Sequence, residues 1–124
     1  DDNIMIGKKY IVYNDSNKCY IHLTRDIIWA YQNDTVLKHK LYGIVKFAET
    51  KHTQVILTFR NQEMYGINVE SDLKAKKVLI YLRTHHPQVL MGYSEQMLQI
   101  YQTDFNRMIW ASDEQARSKY KETR

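Results

Sequence analysis

The sequence predicts an α+β domain, in which a strongly bent antiparallel sheet of about six or seven strands is followed by two C-terminal helices. Apolar residues alternate with polar ones in short runs before residue 70 and recur at helical spacing after it. The connections between the early runs are shorter than the dozen or so residues that a parallel crossover needs, which favours antiparallel pairing. A chain of 124 residues with 44% hydrophobic residues fits one domain with its own core.

The predicted strands are short runs bounded by polar turns. They span residues 9–13, 18–24, 27–32, 37–48, 53–60 and 64–70. Residues 27–32 are apolar on both faces, with Ile27, Trp29 and Tyr31 opposite Ile28 and Ala30. This is typical of a strand that is covered on both sides. We therefore expect Trp29 to anchor the core, together with Phe59.

Two helices are predicted after residue 70. Ser71 can cap a helix over residues 72–85, whose inner stripe is Ala75, Val78, Leu79 and Leu82. Ser94 can cap the second helix. Its apolar positions are Met97 or Leu98, Tyr101, Phe105, Met108 and Ile109. Because this pattern fades after Ala111, the sequence predicts one domain over residues 1–112 and a polar, disordered or frayed tail over residues 113–124.

The adjacent pair His85 and His86 does not fit a helical metal site. Metal-binding histidines on a helix are four residues apart, whereas neighbours point about 100° apart. At the end of helix 72–85 the two side chains instead complement the negative end of the helix dipole, and Pro87 disfavours further helix. The stretch 81–97 is therefore predicted to join two helices, with no metal and no cofactor.

Nucleophilic catalysis and phosphate binding have no recognisable pattern either. The four glycines are widely spread, which excludes glycine-rich phosphate loops. Cys19 and His22 would lie on opposite faces of an extended segment. Carboxylates such as Asp26 and Glu70 could form a pair only if the fold brought them together. We therefore expect a domain that is not an enzyme.

The positive signal in the sequence is a basic, aromatic strand surface. The net charge is +4, and residues 36–60 hold five basic residues against one acidic residue. The predicted anionic-ligand surface consists of Lys38, Lys40, Tyr42 and Lys46, which share one face of strand 37–48, with Lys51 beside them. Such a surface could meet anionic lipid headgroups, or nucleic-acid phosphates with a base stacked on tyrosine, and the alternative is an ordinary solvated sheet face. Nucleic acid ranks below lipid and below a protein partner, because no pair of stacking residues of the usual kind appears.

Three motifs of the sequence carry a resemblance to known proteins: Ile28-Trp29-Ala30-Tyr31, the polar turn Asn61-Gln62-Glu63, and His86-Pro87 followed by Gly92-Tyr93-Ser94. They resemble motifs in a group of uncharacterised bacterial proteins, mainly from Firmicutes, in which a small PH-like domain is tethered to membrane-spanning helices. The resemblance covers about residues 9–105. It implies a PH-like roll or split barrel closed at one end by helices, and a role as a membrane-proximal binding or scaffolding module. It brings no catalytic residues.

The sequence leaves three hypotheses about function. The first is a non-enzymatic binding domain, the soluble part of a membrane-associated protein. The chain has no apolar run of about 18 residues and does not begin with Met, so we expect the attachment to lie in a segment absent from this sequence. The second is a protein-binding or oligomerising module that uses exposed tyrosines. The third is a small enzyme, which a deep pocket lined by converging histidine and carboxylate groups would favour.

Overall fold

The computed structural model describes residues 4–15, 18–33 and 53–122, and this part of the chain forms seven strands and three α-helices in an α+β arrangement. The strands are β1 Ile4–Ile6, β2 Tyr10–Asp15, β3 Lys18–Leu23, β4 Ile27–Asn33, β5 Thr53–Phe59, β6 Met64–Val69 and β7 Leu90–Met91. The helices are α1 Asp72–His85, α2 Glu95–Thr103 and α3 Phe105–Glu122. A 3-10 turn at Thr24–Asp26 joins β3 to β4. The predicted α+β class is confirmed.

The described strands form two sheets, where the sequence predicts a single bent one. The N-terminal sheet has the order β1-β2-β3, and the central sheet has the order β6-β5-β4-β7. All pairs are antiparallel except β4 with β7, where Trp29 lies opposite Leu90 in a parallel ladder. This pair departs from the expected antiparallel meander because α1 lies between the two strands in sequence and returns the chain in the original direction. The strand predicted at residues 37–48 lies outside the described residues.

The central sheet is buried on both faces, as the apolar character of β4 predicts. Its first core faces the N-terminal sheet and α1, and its second core faces α2 and α3. A bulge between Ile27 and Trp29 alters the predicted alternation. Ile27 and Ala30 belong to the first core, whereas Ile28 joins Trp29 in the second. The bulge therefore turns two successive apolar side chains toward the helices.

Helix α1 begins and ends where its sequence predicts. The hydroxyl of Ser71 accepts a hydrogen bond from the backbone N–H of Lys74, and this cap satisfies a donor of the first turn. The predicted stripe faces the first core, where Ala75, Val78 and Leu82 are buried. The predicted cap at Ser94 also forms, because its hydroxyl accepts from the N–H of Met97.

The predicted second helix is divided in two at Asp104. The backbone of Asp104 leaves helical geometry between α2 and α3, as short polar residues that compete for backbone hydrogen bonds often do. The predicted apolar stripe still serves one surface. Its members Met97, Leu98, Tyr101, Phe105, Met108 and Ile109 all pack in or against the second core.

Helix α3 continues to Glu122, through the region for which the sequence predicts an unordered tail. Polar contacts attach this part of the helix to the rest of the domain. The spacing of hydrophobic residues therefore does not predict that the helix extends this far. Ser112 is fully buried, and its hydroxyl donates to the carbonyl of Gln88 at 2.5 Å. The side-chain amide of Gln115 donates to the carbonyls of Pro87 and Val89 at 3.0 and 2.8 Å.

Residues 86–89 form a junction that connects both sheets to the helices. The ring Nε2 of the buried His86 donates to the carbonyl of Gly7 at 3.1 Å, and its backbone N–H closes α1 by donating to Leu82. The amide of Gln88 donates to the carbonyls of Thr24 and Ile27. The stretch with two adjacent histidines thus ends one helix and leads to the next, as predicted.

Replacement of Trp29 by Ala is expected to lower the free energy of unfolding by about 3–5 kcal/mol. Trp29 is fully buried, and its indole N–H donates to the carbonyl of Gly92 at 2.8 Å. Trp110 provides the matched control, because it is 61% exposed on α3. Trp110→Ala should change the free energy by no more than about 0.5 kcal/mol. Denaturant unfolding measures both, and a loss below about 1 kcal/mol for Trp29→Ala would contradict the central position of β4.

The free energy of unfolding should fall as the pH drops below about 6.5, the ordinary pKa of histidine. Burial lowers the pKa of His86 in the folded chain, against a smaller opposing effect of its bond to Gly7. The unfolded chain therefore binds this proton first, so the stability is complete above the ordinary pKa and is lost as the pH falls through the lowered one. His86→Gln should reduce this pH dependence, whereas His85→Gln, at the exposed neighbour, should preserve it. Urea titrations between pH 7 and pH 5 test this, and equal slopes for the two variants would exclude His86 as the source.

Candidate binding cleft and helix surface

The five residues of the predicted anionic-ligand surface lie outside the described residues. These are Lys38, Lys40, Tyr42, Lys46 and Lys51. In the described part of the chain, two other features have the form of binding sites. One is a cleft beside the β5–β6 hairpin, and the other is the outer face of α1.

The cleft is built around a tight turn between β5 and β6. The N–H of Gln62 donates to the carbonyl of Phe59, and the N–H of Phe59 donates to the carbonyl of Glu63, both at 2.9 Å. Gln62 has a φ of 74°, a left-handed conformation that glycine or asparagine usually occupies. Two bonds to α2 hold it there, because its side chain donates to the carbonyl of Tyr101 and the Tyr101 hydroxyl donates to its own carbonyl. The turn is thus fixed to the second core.

The cleft lies between this turn and the end of β3. Its volume is about 430 Å³, which is within the range of about 300–1,000 Å³ for ligand pockets. Its lining residues are His22, Leu23, Asp26, Phe59, Arg60, Asn61 and Glu63. The fold therefore brings together a histidine, two carboxylates, an arginine and an amide from segments that are distant in sequence.

His22 forms part of an aromatic cluster behind the cleft. Its ring centroid lies 4.5 Å from that of Phe59 and 5.0 Å from that of Tyr65. Its Nε2 forms a hydrogen bond of 3.0 Å with the hydroxyl of Tyr13. Burial lowers the pKa of His22, while the nearby carboxylates of Glu63 and Asp26 act in the opposite direction. The ring is therefore neutral near pH 7, and it lies close enough to both carboxylates to interact with them electrostatically.

The two carboxylates of the cleft are held differently. Asn61 donates to Glu63 through its side-chain amide at 2.8 Å and accepts from the Glu63 backbone N–H at 3.0 Å. A hydrogen bond with Glu63 also contributes to the raised pKa of Tyr65, whose first cause is burial. The carboxylate of Asp26 makes no hydrogen bond or ion pair with the residues that the structure describes, and only its backbone carbonyl is engaged, by the N–H of Arg60.

Arg60 forms an ion pair with Asp113, a residue that does not line the cleft. Its guanidinium donates to both carboxylate oxygens of Asp113 on α3, at 2.9 and 3.4 Å. This bond raises the pKa of Arg60 and lowers that of Asp113. The positive charge of Arg60 is therefore matched by the carboxylate of Asp113, and the cleft is also lined by the carboxylates of Asp26 and Glu63.

The side chains of the described residues do not form a cluster of three or more histidine, cysteine or acidic residues with the geometry to hold a metal ion. Cys19 is exposed on β3, and the register of β2 with β3 places it on the face opposite His22. The predicted opposition of these two residues is confirmed. Asp26 and Glu63 both line the cleft. Glu70, which the sequence offers as a possible partner of Asp26, is exposed at the end of β6 and does not line the cleft.

The outer face of α1 combines exposed apolar and basic side chains. Leu73 and Ile80, two turns apart, are 63% and 53% exposed. The exposed residues beside them include Lys76, Lys77 and Arg83. Such a face is typical of helices that lie on an anionic surface, where apolar side chains insert and basic ones meet charged groups.

The outer face of the N-terminal sheet is apolar and carries few charges. Met5, Val12 and Ile21 form one row across the three strands. Met5 and Ile21 are strongly exposed, and so is Tyr10, two residues before Val12 on the same face. Among the tyrosines whose exposure the structure describes, Tyr10 is the strongly exposed one, because the others are buried or half-buried.

Reasoning from the sequence does not find the cleft. Its lining residues lie in two separate segments, residues 22–26 and 59–63, and no sequence spacing relates them. One local signal was present, since Asn61-Gln62-Glu63 is a polar turn between two predicted strands. That signal locates the hairpin but says nothing of the partner segment at Asp26.

The helices in the described part of the chain are all too short or too polar to cross a membrane.

Comparison with curated proteins and with solved structures gives no match to this chain. Comparison with protein families gives a match over residues 1–101 to the family described as a domain of unknown function, DUF6709. This match covers most of the chain, which therefore belongs to the DUF6709 family.

Proposed function

We propose that this chain is a non-enzymatic binding domain of a membrane-associated bacterial protein, and that the outer face of α1 is the surface that meets anionic lipid headgroups. The observation that carries the proposal is the combination of exposed Leu73 and Ile80 with Lys76, Lys77 and Arg83 on one helix face. The membrane association and the bacterial origin follow from the resemblance in the motifs of residues 28–31 and 86–94.

The number of basic residues on the outer face of α1 is sufficient for peripheral binding to a membrane. Each lysine or arginine near an anionic leaflet contributes about 1 kcal/mol. Three such residues with two apolar side chains give a reversible contact, which suits a domain that is also held by another segment. The inner face of α1 is buried in the first core, so the helix can present its outer face without leaving the fold.

A PH-like fold is part of the same proposal. Its support is that sheets of three and four strands pack around one core, with α1 on that core as well. In such a domain the scaffold is rigid and the ligand binds at the surface. The strand predicted at 37–48, with its basic face, would then add to the positive surface.

The cleft favours binding over catalysis, although it contains the residue types that an enzyme would need. The Nε2 of His22 is bonded to Tyr13, and Glu63 is held by Asn61. The lining residues that the structure describes include neither a serine nor a cysteine. The arrangement therefore provides fixed acceptors and a neutral ring, which suits recognition of a ligand.

A second candidate is self-association through the outer face of the N-terminal sheet. The specific observation is the exposed apolar row of Met5, Val12 and Ile21. Exposed apolar patches on small domains often mark contact surfaces. This candidate replaces the predicted tyrosine surface by an aliphatic one, in which Tyr10 is a single flanking residue.

Binding to vesicles tests the lipid proposal. The chain should sediment with phosphatidylcholine vesicles that contain phosphatidylserine, and much less with phosphatidylcholine alone. Lys76→Glu with Lys77→Glu should weaken the binding at least about tenfold, because two favourable charges are reversed. The matched control is Lys18→Glu with Arg107→Glu, which makes the same change of charge at exposed positions outside α1. Equal binding to both vesicle types, or an equal loss in both variants, would contradict the assignment to α1.

Light scattering tests the second candidate. If the N-terminal sheet mediates self-association, the molar mass should exceed that of one chain, and Ile21→Lys should reduce it to the monomer. Trp110→Lys makes the same change at an equally exposed position on α3 and should have no effect. A strict monomer at high concentration would remove this candidate.

A further inference from the structure

We propose that the cleft between the β5–β6 turn and Asp26 binds an aliphatic cation, either the ammonium group of a lysine or the guanidinium group of an arginine. The source would be a side chain of a protein partner or a free polyamine, and both present the same charged group to the site. This inference concerns a second site, since no residue of α1 lines the cleft.

The charges of the cleft favour a cation. Asp26 and Glu63 line it, and Arg60, the one lysine or arginine among the described lining residues, is neutralised by its bidentate bond to Asp113. Together these four groups leave an excess of negative charge. An anionic ligand would have to displace Asp113 from Arg60 and would still face two carboxylates.

The acceptors are already in position. The Asp26 carboxylate makes no bond with other described residues, so it can accept from a ligand without losing a partner. Asn61 holds Glu63 by two hydrogen bonds, and the turn that carries both is fixed to Tyr101. Acceptors fixed before binding lose little side-chain entropy when the ligand arrives.

The remaining walls suit the apolar stem and the charge of such a side chain. Leu23 and Phe59 line the cleft and can contact methylene groups. The rings of His22 and Phe59 pack with their centroids 4.5 Å apart and form an aromatic wall of the cleft. Burial keeps the pKa of His22 low, and the ring therefore does not compete with the ligand for the carboxylates near neutral pH.

The cleft is also large enough for a complete side chain. Its volume of about 430 Å³ exceeds what a single ion would fill. The described residues that line it lack the three-ligand geometry of a metal site. A long cation with an apolar stem therefore fits the cleft better than a bare metal ion.

The test is a titration with blocked amino acids, followed by calorimetry and by NMR shifts of the Glu63 and Asn61 amides. The probes are the acetylated methylamides of lysine, arginine, norleucine and glutamate, together with spermidine. We expect lysine and arginine derivatives to bind in the cleft and the neutral norleucine derivative to bind at least about tenfold more weakly, because it lacks the charge that the carboxylates accept. Tighter binding of spermidine than of the amino-acid derivatives would identify a free polyamine as the source, and the reverse order a protein side chain.

Variants locate the binding. Asp26→Asn and Glu63→Gln should each weaken the lysine derivative about tenfold. Glu70→Gln removes the same charge at an exposed position outside the cleft and should leave the affinity unchanged. Asp113→Asn should also weaken it, although Asp113 does not line the cleft, because Arg60 then carries an unmatched charge.

The thermal unfolding of each variant shows that it is folded. Equal binding of norleucine and lysine derivatives, preference for glutamate, no binding at all, or no effect of Asp26→Asn and Glu63→Gln would overturn the proposal. Vesicle binding separates this result from the lipid proposal, because Asp26→Asn should not reduce it and Lys76→Glu with Lys77→Glu should not abolish binding of the cation.

Discussion

The packing of the two sheets against the helices depends on the hydrogen bonds of the segment 86–89, in which His86 and Val89 are buried. Buried backbone carbonyls without partners are costly, and this segment has no sheet or helix ladder of its own. Gln115 and Ser112 of α3 supply donors to three of its carbonyls, and His86 and Gln88 return donors to the N-terminal half of the chain. The same four residues therefore hold the sheets and α3 at one point.

This junction also explains which surfaces remain available for binding. With both faces of the central sheet covered, the exposed surfaces belong to the outer layers: the outer side of α1, the outer side of the N-terminal sheet, and the ends of the strands. The cleft lies at such an end, where β3 and the β5–β6 turn meet. Its turn contains Gln62 in a left-handed conformation, which costs about 1 kcal/mol or more and persists because Tyr101 holds it. A strained residue fixed in this way keeps its neighbours in position before a ligand arrives.

The sequence reveals elements whose side chains follow a period, and it misses what depends on polar contacts between distant segments. The caps at Ser71 and Ser94, the ends of α1 and the two-sided burial of β4 follow from local residues. The division at Asp104 and the C-terminal part of α3 do not, because Ser112 and Gln115 are polar residues whose partners lie more than twenty residues away. The strand β7 occupies the edge of β4 that does not pair with β5, so β3 does not join the central sheet. Because β7 is only two residues long, no sequence pattern predicts this pairing. The cleft is missed for the same reason, since Asp26 and Glu63 are neighbours only in the fold.

A modest net charge can conceal two local fields of opposite sign. The chain carries +4 overall, which by itself indicates little about its partners. The structure resolves part of this total into a basic face on α1 and an acidic cleft at the β5–β6 turn. No residue of α1 lines the cleft, so each surface presents its own charged residues to its own ligand. An anionic membrane would then orient the domain through α1 while the cleft stays attractive to cations. The two proposed contacts are compatible with each other, because they use different residues and opposite charges.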